Sequence, residues 1–63
     1  MHFSPEELII LSQAYDMAVR RVSPVGPALE AIVAKGILVA AARGERNRRL
    51  LAEAGVEALL DHH

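Results

Sequence analysis

The 63-residue sequence has no cysteine and no tryptophan, and it has only one tyrosine and one phenylalanine. The absence of cysteine excludes disulfides, thiolate zinc sites and a cysteine nucleophile. The shortage of aromatic side chains removes the stacking platforms on which single-stranded nucleic acids bind. Hydrophobic residues still make up 52% of the chain. The core is therefore expected to consist of aliphatic side chains and alanine.

The length of the chain allows one domain at most, spanning residues 1–63. A chain this short buries only about 60% of its unfolded surface on folding, so its stability is marginal. Small domains commonly gain support from a disulfide, a metal or a partner subunit. Because disulfides are excluded, a partner subunit is the expected support. The net charge of −1 gives the chain no general attraction to nucleic acid or to anionic lipid.

Residues 5–22 are predicted to form the first helix. Ser4 is a suitable N-cap, Pro5 fits the first helical position, and Glu7 completes a capping box. Apolar residues then recur at intervals of three and four and give the helix one apolar face: Leu8, Leu11, Tyr15, Ala18 and Val22. Ile9 lies nearly opposite this face and is expected to be exposed.

Residues 27–43 are predicted to form the second helix, after a break caused by two prolines and a glycine. Gly44 is the stop signal. Between Ala28 and Ala42 only Glu30 and Lys35 are charged. A helix that is apolar on nearly every side needs cover on every side, and so short a chain has little left to supply it. We therefore expect cover from a second copy, in a homodimer or a higher oligomer.

The second helix supplies the residues that we expect at this subunit interface: Ile32, Val33, Gly36, Ile37, Val39 and Ala40. Gly36 and Ala40 belong to a row of small residues, which permits close approach of another helix. That other helix belongs either to the same bundle or to a second copy. The apolar stretch is shorter than the roughly 20 residues of a membrane span. No signal peptide is apparent, so a cytoplasmic location without a membrane partner is the default expectation.

Residues 46–60 are predicted to form the third helix. Its apolar side includes Leu50, Leu51, Ala54 and Ala58. A glycine inside a helix costs about 1 kcal/mol relative to alanine, so Gly55 either weakens this helix or divides it in two. No segment alternates in the manner of a strand. The predicted fold class is therefore all-α, a three-helix open bundle completed by homo-oligomerisation.

A cluster of arginines is the main polar candidate for a contact site: Arg43, Arg46, Arg48 and Arg49. Arginines near a helix start can bind phosphate, which makes a small nucleic-acid-binding regulator the alternative function. A solvated helix face is the simpler explanation of the cluster. An antiparallel partner helix would instead place these arginines against the acids of residues 53–61. The sequence leaves these alternatives open.

Catalytic, metal and cofactor sites are not expected. His2, His62 and His63 lie at the ends of the chain, where adjacent histidines on a helix would point about 100° apart. Ser4 and Ser23 precede prolines and are interpreted as caps. Neither a Gly-x-Ser-x-Gly motif nor a phosphate-binding glycine loop is present. The chain is therefore expected not to be an enzyme.

Two resemblances bear on the fold. Residues 36–60 resemble part of an armadillo repeat, through an alanine-rich helix followed by the run of residues 50–60, which joins two helices at Ala54 and Gly55. Armadillo domains bind extended peptides through a tryptophan and an asparagine. Gly36 and Ala40 occupy those positions here, so the resemblance implies no peptide-binding pair. At least three such repeats are normally needed for stability.

The whole chain also resembles a group of short, uncharacterised bacterial all-α proteins. The likeness rests on a Phe-Ser/Thr-Pro-Glu start, here from Phe3 to Glu6, and on Ala-Arg-Gly-Glu-Arg after the second helix, here from Ala42 to Arg46. This likeness implies an all-α fold, and it implies no particular activity. The expected function is a non-enzymatic interaction or assembly module whose main partner is a second copy, or another protein.

Overall fold

The computed structural model describes residues 2–61 and consists of three helices. They are α1 (Pro5–Val22), α2 (Pro27–Ala42) and α3 (Arg48–Leu60). Within the described range there is no strand, which confirms the all-α fold class. None of the helices in this range is both long enough and apolar enough to cross a membrane.

The start of α1 is the capping box that the sequence predicts. The Ser4 hydroxyl accepts a hydrogen bond from the Glu7 amide at 3.2 Å, and the Glu7 carboxylate accepts one from the Ser4 amide at 2.7 Å. Two backbone N–H groups that the helix itself leaves unpaired are satisfied in this way. Arg20 and Arg21 in the last turn complement the helix dipole.

The connection between α1 and α2 contains a cis peptide bond at Ser23–Pro24. Gly26 is the N-cap of α2, and Pro27 is its first residue. The helix ends at Ala42, one residue before the predicted end. Gly44 follows with a φ of 106°, a conformation that side chains other than glycine rarely adopt. This turn brings α3 back along α2.

Helix α3 begins at Arg48, two residues later than predicted, because Asn47 is its N-cap. The Asn47 side-chain oxygen accepts hydrogen bonds from the amides of Arg49 at 2.9 Å and Leu50 at 3.2 Å. Gly55 does not divide the helix, which continues unbroken to Leu60. A β-carbon at Gly55 would lie 3.0 Å from side-chain atoms of both Val33 and Ile37. Close packing against α2 therefore explains why a glycine stands in mid-helix.

The core forms where the three helices meet, and its buried side chains are Leu11, Ala14, Ala18, Val33, Ile37, Ala41, Leu51 and Ala52. Alanine supplies half of this set, so the helices approach closely. One close approach lies at Gly36, where an added β-carbon would be 2.6 Å from the Ala58 β-carbon and 2.9 Å from the Ala54 carbonyl oxygen. Gly36 thus allows α2 and α3 to cross closely within one chain.

Candidate interaction surface

The six interface residues predicted from the sequence fall into three groups, and Gly36 forms one of them by itself, since it is partly buried at the crossing with α3. Val33 is 0% exposed and Ile37 is 2% exposed, and both belong to the chain's own core. Their expected place in a subunit interface is therefore corrected, since a partner cannot reach them while the fold is intact. Ile32, Val39 and Ala40 keep part of their surface accessible. For these three residues the interface remains a prediction.

The prediction for Val33 and Ile37 was wrong because a hydrophobic pattern does not show whether its residues are covered by the same chain or by a second one. Val33, Ile37 and Ala41 lie four residues apart and form a single stripe on α2. Helices α1 and α3 are long enough to cover this stripe. The side of α2 that faces away from the core is the part left without cover from the described chain.

We define the outer surface of α2 by the residues that line it: Lys35, Leu38, Val39, Ala42 and Arg43. Leu38 is 46% exposed and Val39 is 42% exposed. The aliphatic side chains are adjacent, and the two cationic side chains stand at either end. A contiguous apolar patch with a polar rim is typical of an interaction site, whereas single exposed leucines are ordinary.

A groove lies on each side of this outer surface. The α1–α2 groove has a volume of about 250 Å³ and is almost entirely apolar. Its lining consists of Leu8, Leu11, Ser12, Tyr15, Ala34, Ile37 and Leu38. None of these described residues is charged.

The α2–α3 groove lies on the other side and carries both signs of charge. Its floor consists of the small residues Gly36, Ala40, Ala54 and Ala58. The α2 wall carries Ile32, Lys35, Val39 and Arg43. The α3 wall carries Leu50, Glu53, Glu57 and Asp61. The α2 wall is thus basic and the α3 wall is acidic, and Glu45 in the turn between the two helices adds an acid at the Arg43 end of the groove.

Arg46 is the polar side chain with the most contacts, and it is turned toward α1. Its Nε donates to the Glu7 carboxylate at 2.7 Å, and its Nη1 donates to the carbonyl oxygens of Ala41 at 2.7 Å and Glu45 at 2.8 Å. Its guanidinium carbon lies 5.5 Å from the centroid of the Phe3 ring, within the range of a cation–π contact. This residue ties the start of α1 to the end of α2.

The four clustered arginines therefore do not form one binding surface. Arg46 is engaged within the chain, and Arg43 lines the α2–α3 groove. Arg48 and Arg49 are exposed in the first turn of α3. The role of Arg46 could not be predicted from the sequence, because its carboxylate partner, Glu7, is 39 residues away. Spacing along the chain carries no signal for such a pair.

The capping box and Arg46 together lower the pKa of Glu7. The larger cause is the hydrogen bond from the Ser4 amide, and the hydrogen bond from Arg46 acts in the same direction. Both contacts favour the ionised carboxylate. Protonation of Glu7 would therefore weaken the start of α1 and its link to the α2–α3 turn at the same time.

This coupling predicts a loss of stability in acid that depends on Glu7. A carboxyl with a lowered folded-state pKa contributes stability above its unfolded pKa, about 4.3, and loses it as the pH falls through the folded value. Glu7→Gln should lower the melting temperature at neutral pH and reduce the further loss below about pH 4. The neighbouring Glu6→Gln is the control. Equal acid sensitivity in wild type and Glu7→Gln would contradict this assignment.

Comparison of the chain with protein-family models, with curated proteins and with solved structures finds no significant match. Metal binding offers no alternative site within residues 2–61, where no three potential ligands from histidine, cysteine, aspartate or glutamate gather. His62 and His63 lie outside the described residues. The candidate functional site is the outer surface of α2 with the grooves beside it, because exposed apolar side chains are adjacent there.

Proposed function

We propose that this protein is a non-enzymatic helical assembly module that binds a second copy of itself through the outer surface of α2. The observation that carries the proposal is the exposure of Leu38 and Val39 on a helix whose opposite side is already in the core. Burial of apolar surface is worth about 25 cal/mol per Å². A second copy would bury surface that a single chain leaves in water.

The size of the chain supports the same proposal. Three large side chains are almost completely buried, namely Ile37, Leu51 and Val33, and domains this small commonly rely on a partner for stability. Both flanking grooves are open along the helices, so they suit the edge of another helix. Self-association therefore supplies the apolar cover that the chain itself lacks.

The nucleic-acid alternative has less support. Arg46 uses its guanidinium within the chain, and Arg43 lies in a groove with Glu53 and Glu57. Acidic side chains beside an arginine repel phosphate. The net charge of −1 adds no general attraction.

Replacement of Val39 with glutamate tests the proposal. The substitution places a charge in the proposed interface and should shift the protein to monomers while the helices remain, because Val39 is exposed in the single chain. Ile9→Glu is the matched control: Ile9 is 58% exposed on α1 and lines neither groove. Sedimentation equilibrium measures the association and circular dichroism the helix content.

Equal association of Val39→Glu and Ile9→Glu would contradict the proposed surface. A titration with short DNA or RNA in physiological salt tests the alternative. Low-micromolar binding that weakens steeply with added salt would favour the nucleic-acid function, because phosphate contacts release counterions.

A further inference from the structure

The α2–α3 groove is complementary in charge to a copy of itself. Lys35 and Arg43 stand two helical turns apart on the α2 wall, with Val39 between them. Glu53, Glu57 and Asp61 stand at intervals of four on the α3 wall. The two ion pairs in the described residues, Arg20–Asp16 and Arg46–Glu7, involve neither wall.

The direction of the helices fixes which charges share a level. Gly36, in the middle of α2, lies against the segment from Ala54 to Ala58, and Gly44, just after α2, lines the groove with Leu50. The two helices are therefore antiparallel. Lys35 stands nearest the level of Glu57, and Arg43 stands toward the start of α3, where Glu53 is the nearest acid of the α3 wall.

We propose that two copies pack groove against groove about a two-fold axis parallel to α2 and α3. This inference rests on the proposed self-association. It places the contact at the edge of the outer surface of α2 that also lines the α2–α3 groove, at Lys35, Val39 and Arg43, and it names the symmetry. The rotation places α2 of one copy opposite α3 of the other. Each residue keeps its height along the axis, so residues at the same level within one chain also meet across the interface. Arg43 then stands nearest Glu53 of the second copy, and Lys35 stands nearest Glu57 of the second copy. The interface is isologous, so each contact occurs twice.

Charge selects this axis over the other two-fold arrangement of the same face. An axis perpendicular to the helices would place α2 against α2, with Lys35 opposite Arg43 of the second copy. It would also place the acidic walls against each other. Like charges opposed across an interface are strongly unfavourable. The parallel axis instead produces a four-helix arrangement in which every neighbouring pair of helices is antiparallel.

The apolar groups of the groove supply the area for this contact. Val39, Ile32 and Leu50 line the walls, and the small floor residues allow the two copies to approach closely. The charges set orientation and register more than affinity. The α1–α2 groove lacks such a pattern, since its lining residues are uncharged.

Two charge-reversed variants test the inference. The acidic variant carries Lys35→Glu and Arg43→Glu, and the basic variant carries Glu53→Lys and Glu57→Lys. Each alone opposes like charges in both halves of the interface, so the Kd of its homodimer should rise at least about tenfold. When the two are mixed, every contact joins opposite charges. Native mass spectrometry should then show the heterodimer well above its statistical proportion.

A charge-matched pair on α1 provides the control. One control variant carries Arg20→Glu and Arg21→Glu, and the other carries Glu6→Lys and Asp16→Lys. Their net charges change by the same amounts as those of the groove variants, but at positions outside the groove. These variants should dimerise like wild type and give the statistical mixture at physiological salt. A chain that carries all four groove reversals again places opposite charges against each other in its homodimer. It should therefore dimerise like wild type. This result would show that the single variants lose charge pairing between the copies and not the ability to fold.

The outcomes distinguish this inference from the function on which it rests. If wild type dimerises and the groove variants mix statistically, the groove arrangement is overturned and self-association stands. If wild type remains monomeric at high micromolar concentration, both are overturned. A selective heterodimer from the groove pair, absent from the control pair, supports the two-fold arrangement described here.

Discussion

Ile37→Glu is expected to unfold the protein at every concentration. Ile37 is 2% exposed and packs within the core of a single chain, so the substitution buries a charge that has no partner. Such changes belong to the most destabilising class, at about 4 kcal/mol or more. This cost is close to the whole stability expected of a small domain, about 5 kcal/mol. Circular dichroism at 25 °C should show loss of helix.

Leu38→Glu is the control for this experiment. Leu38 is the next residue in α2, but its side chain is 46% exposed, so the helical fold should survive. A folded monomer from Ile37→Glu would contradict the assignment of Ile37 to the core and return it to the subunit interface. Comparison of the two variants therefore distinguishes a residue of α2 that is buried in the core of one chain from a residue of α2 that is exposed in the single chain.

Gly36→Ala is expected to destabilise the protein, although the same change stabilises most helices by up to about 1 kcal/mol. The new β-carbon would lie 2.6 Å from that of Ala58 and 2.9 Å from the Ala54 carbonyl oxygen. The helices must separate to admit it, and overpacking of this kind costs about 1–3 kcal/mol. Thermal denaturation should show a melting temperature lower by several degrees, since 1 kcal/mol corresponds to about 4–8 °C in a small domain.

A second substitution tests the cause. Ala58→Gly removes the nearer obstacle, so the double variant Gly36→Ala/Ala58→Gly should be more stable than additivity of the two single changes allows. Coupling of this sign is expected only for residues in contact. Strict additivity, or a higher melting temperature for Gly36→Ala alone, would show that α2 and α3 do not meet at this position.

Local signals in the sequence were sufficient to predict most of the fold. Ser4, Pro5 and Glu7 specify the start of α1 through backbone hydrogen bonds that span three residues. Gly44 specifies the end of α2 because its φ is positive. The start of α3 lies two residues after the predicted one, because the Asn47 side chain accepts the hydrogen bonds of an N-cap.

Contacts between distant segments could not be predicted in the same way. The periodicity of α2 shows that it needs cover, but it does not show whether Val33 and Ile37 face α1 and α3 or a second copy. The link between Arg46 and Glu7 depends on how the helices close. Gly55 was interpreted from helix propensity, whereas tertiary packing at the α2–α3 crossing decides its effect.

Charge patterns were informative only once the helices were in place. Opposition between a basic segment and an acidic one was already evident in the sequence, and an antiparallel partner helix was the suggested explanation. In the structure, Arg43 and Lys35 line the α2–α3 groove, and the pairing proposed above uses these two residues as its basic side. Glu53, Glu57 and Asp61 keep the acidic role.

The central claim is that the outer side of α2 is covered by a second copy of the chain. Size-exclusion chromatography with light scattering, across a concentration series of the wild-type protein, tests it most directly. One chain has a mass of 6.8 kDa. We expect a molar mass that rises with concentration toward a multiple of this value, and toward twice this value for the two-fold arrangement. A folded protein that stays at 6.8 kDa up to high micromolar concentration would contradict the claim.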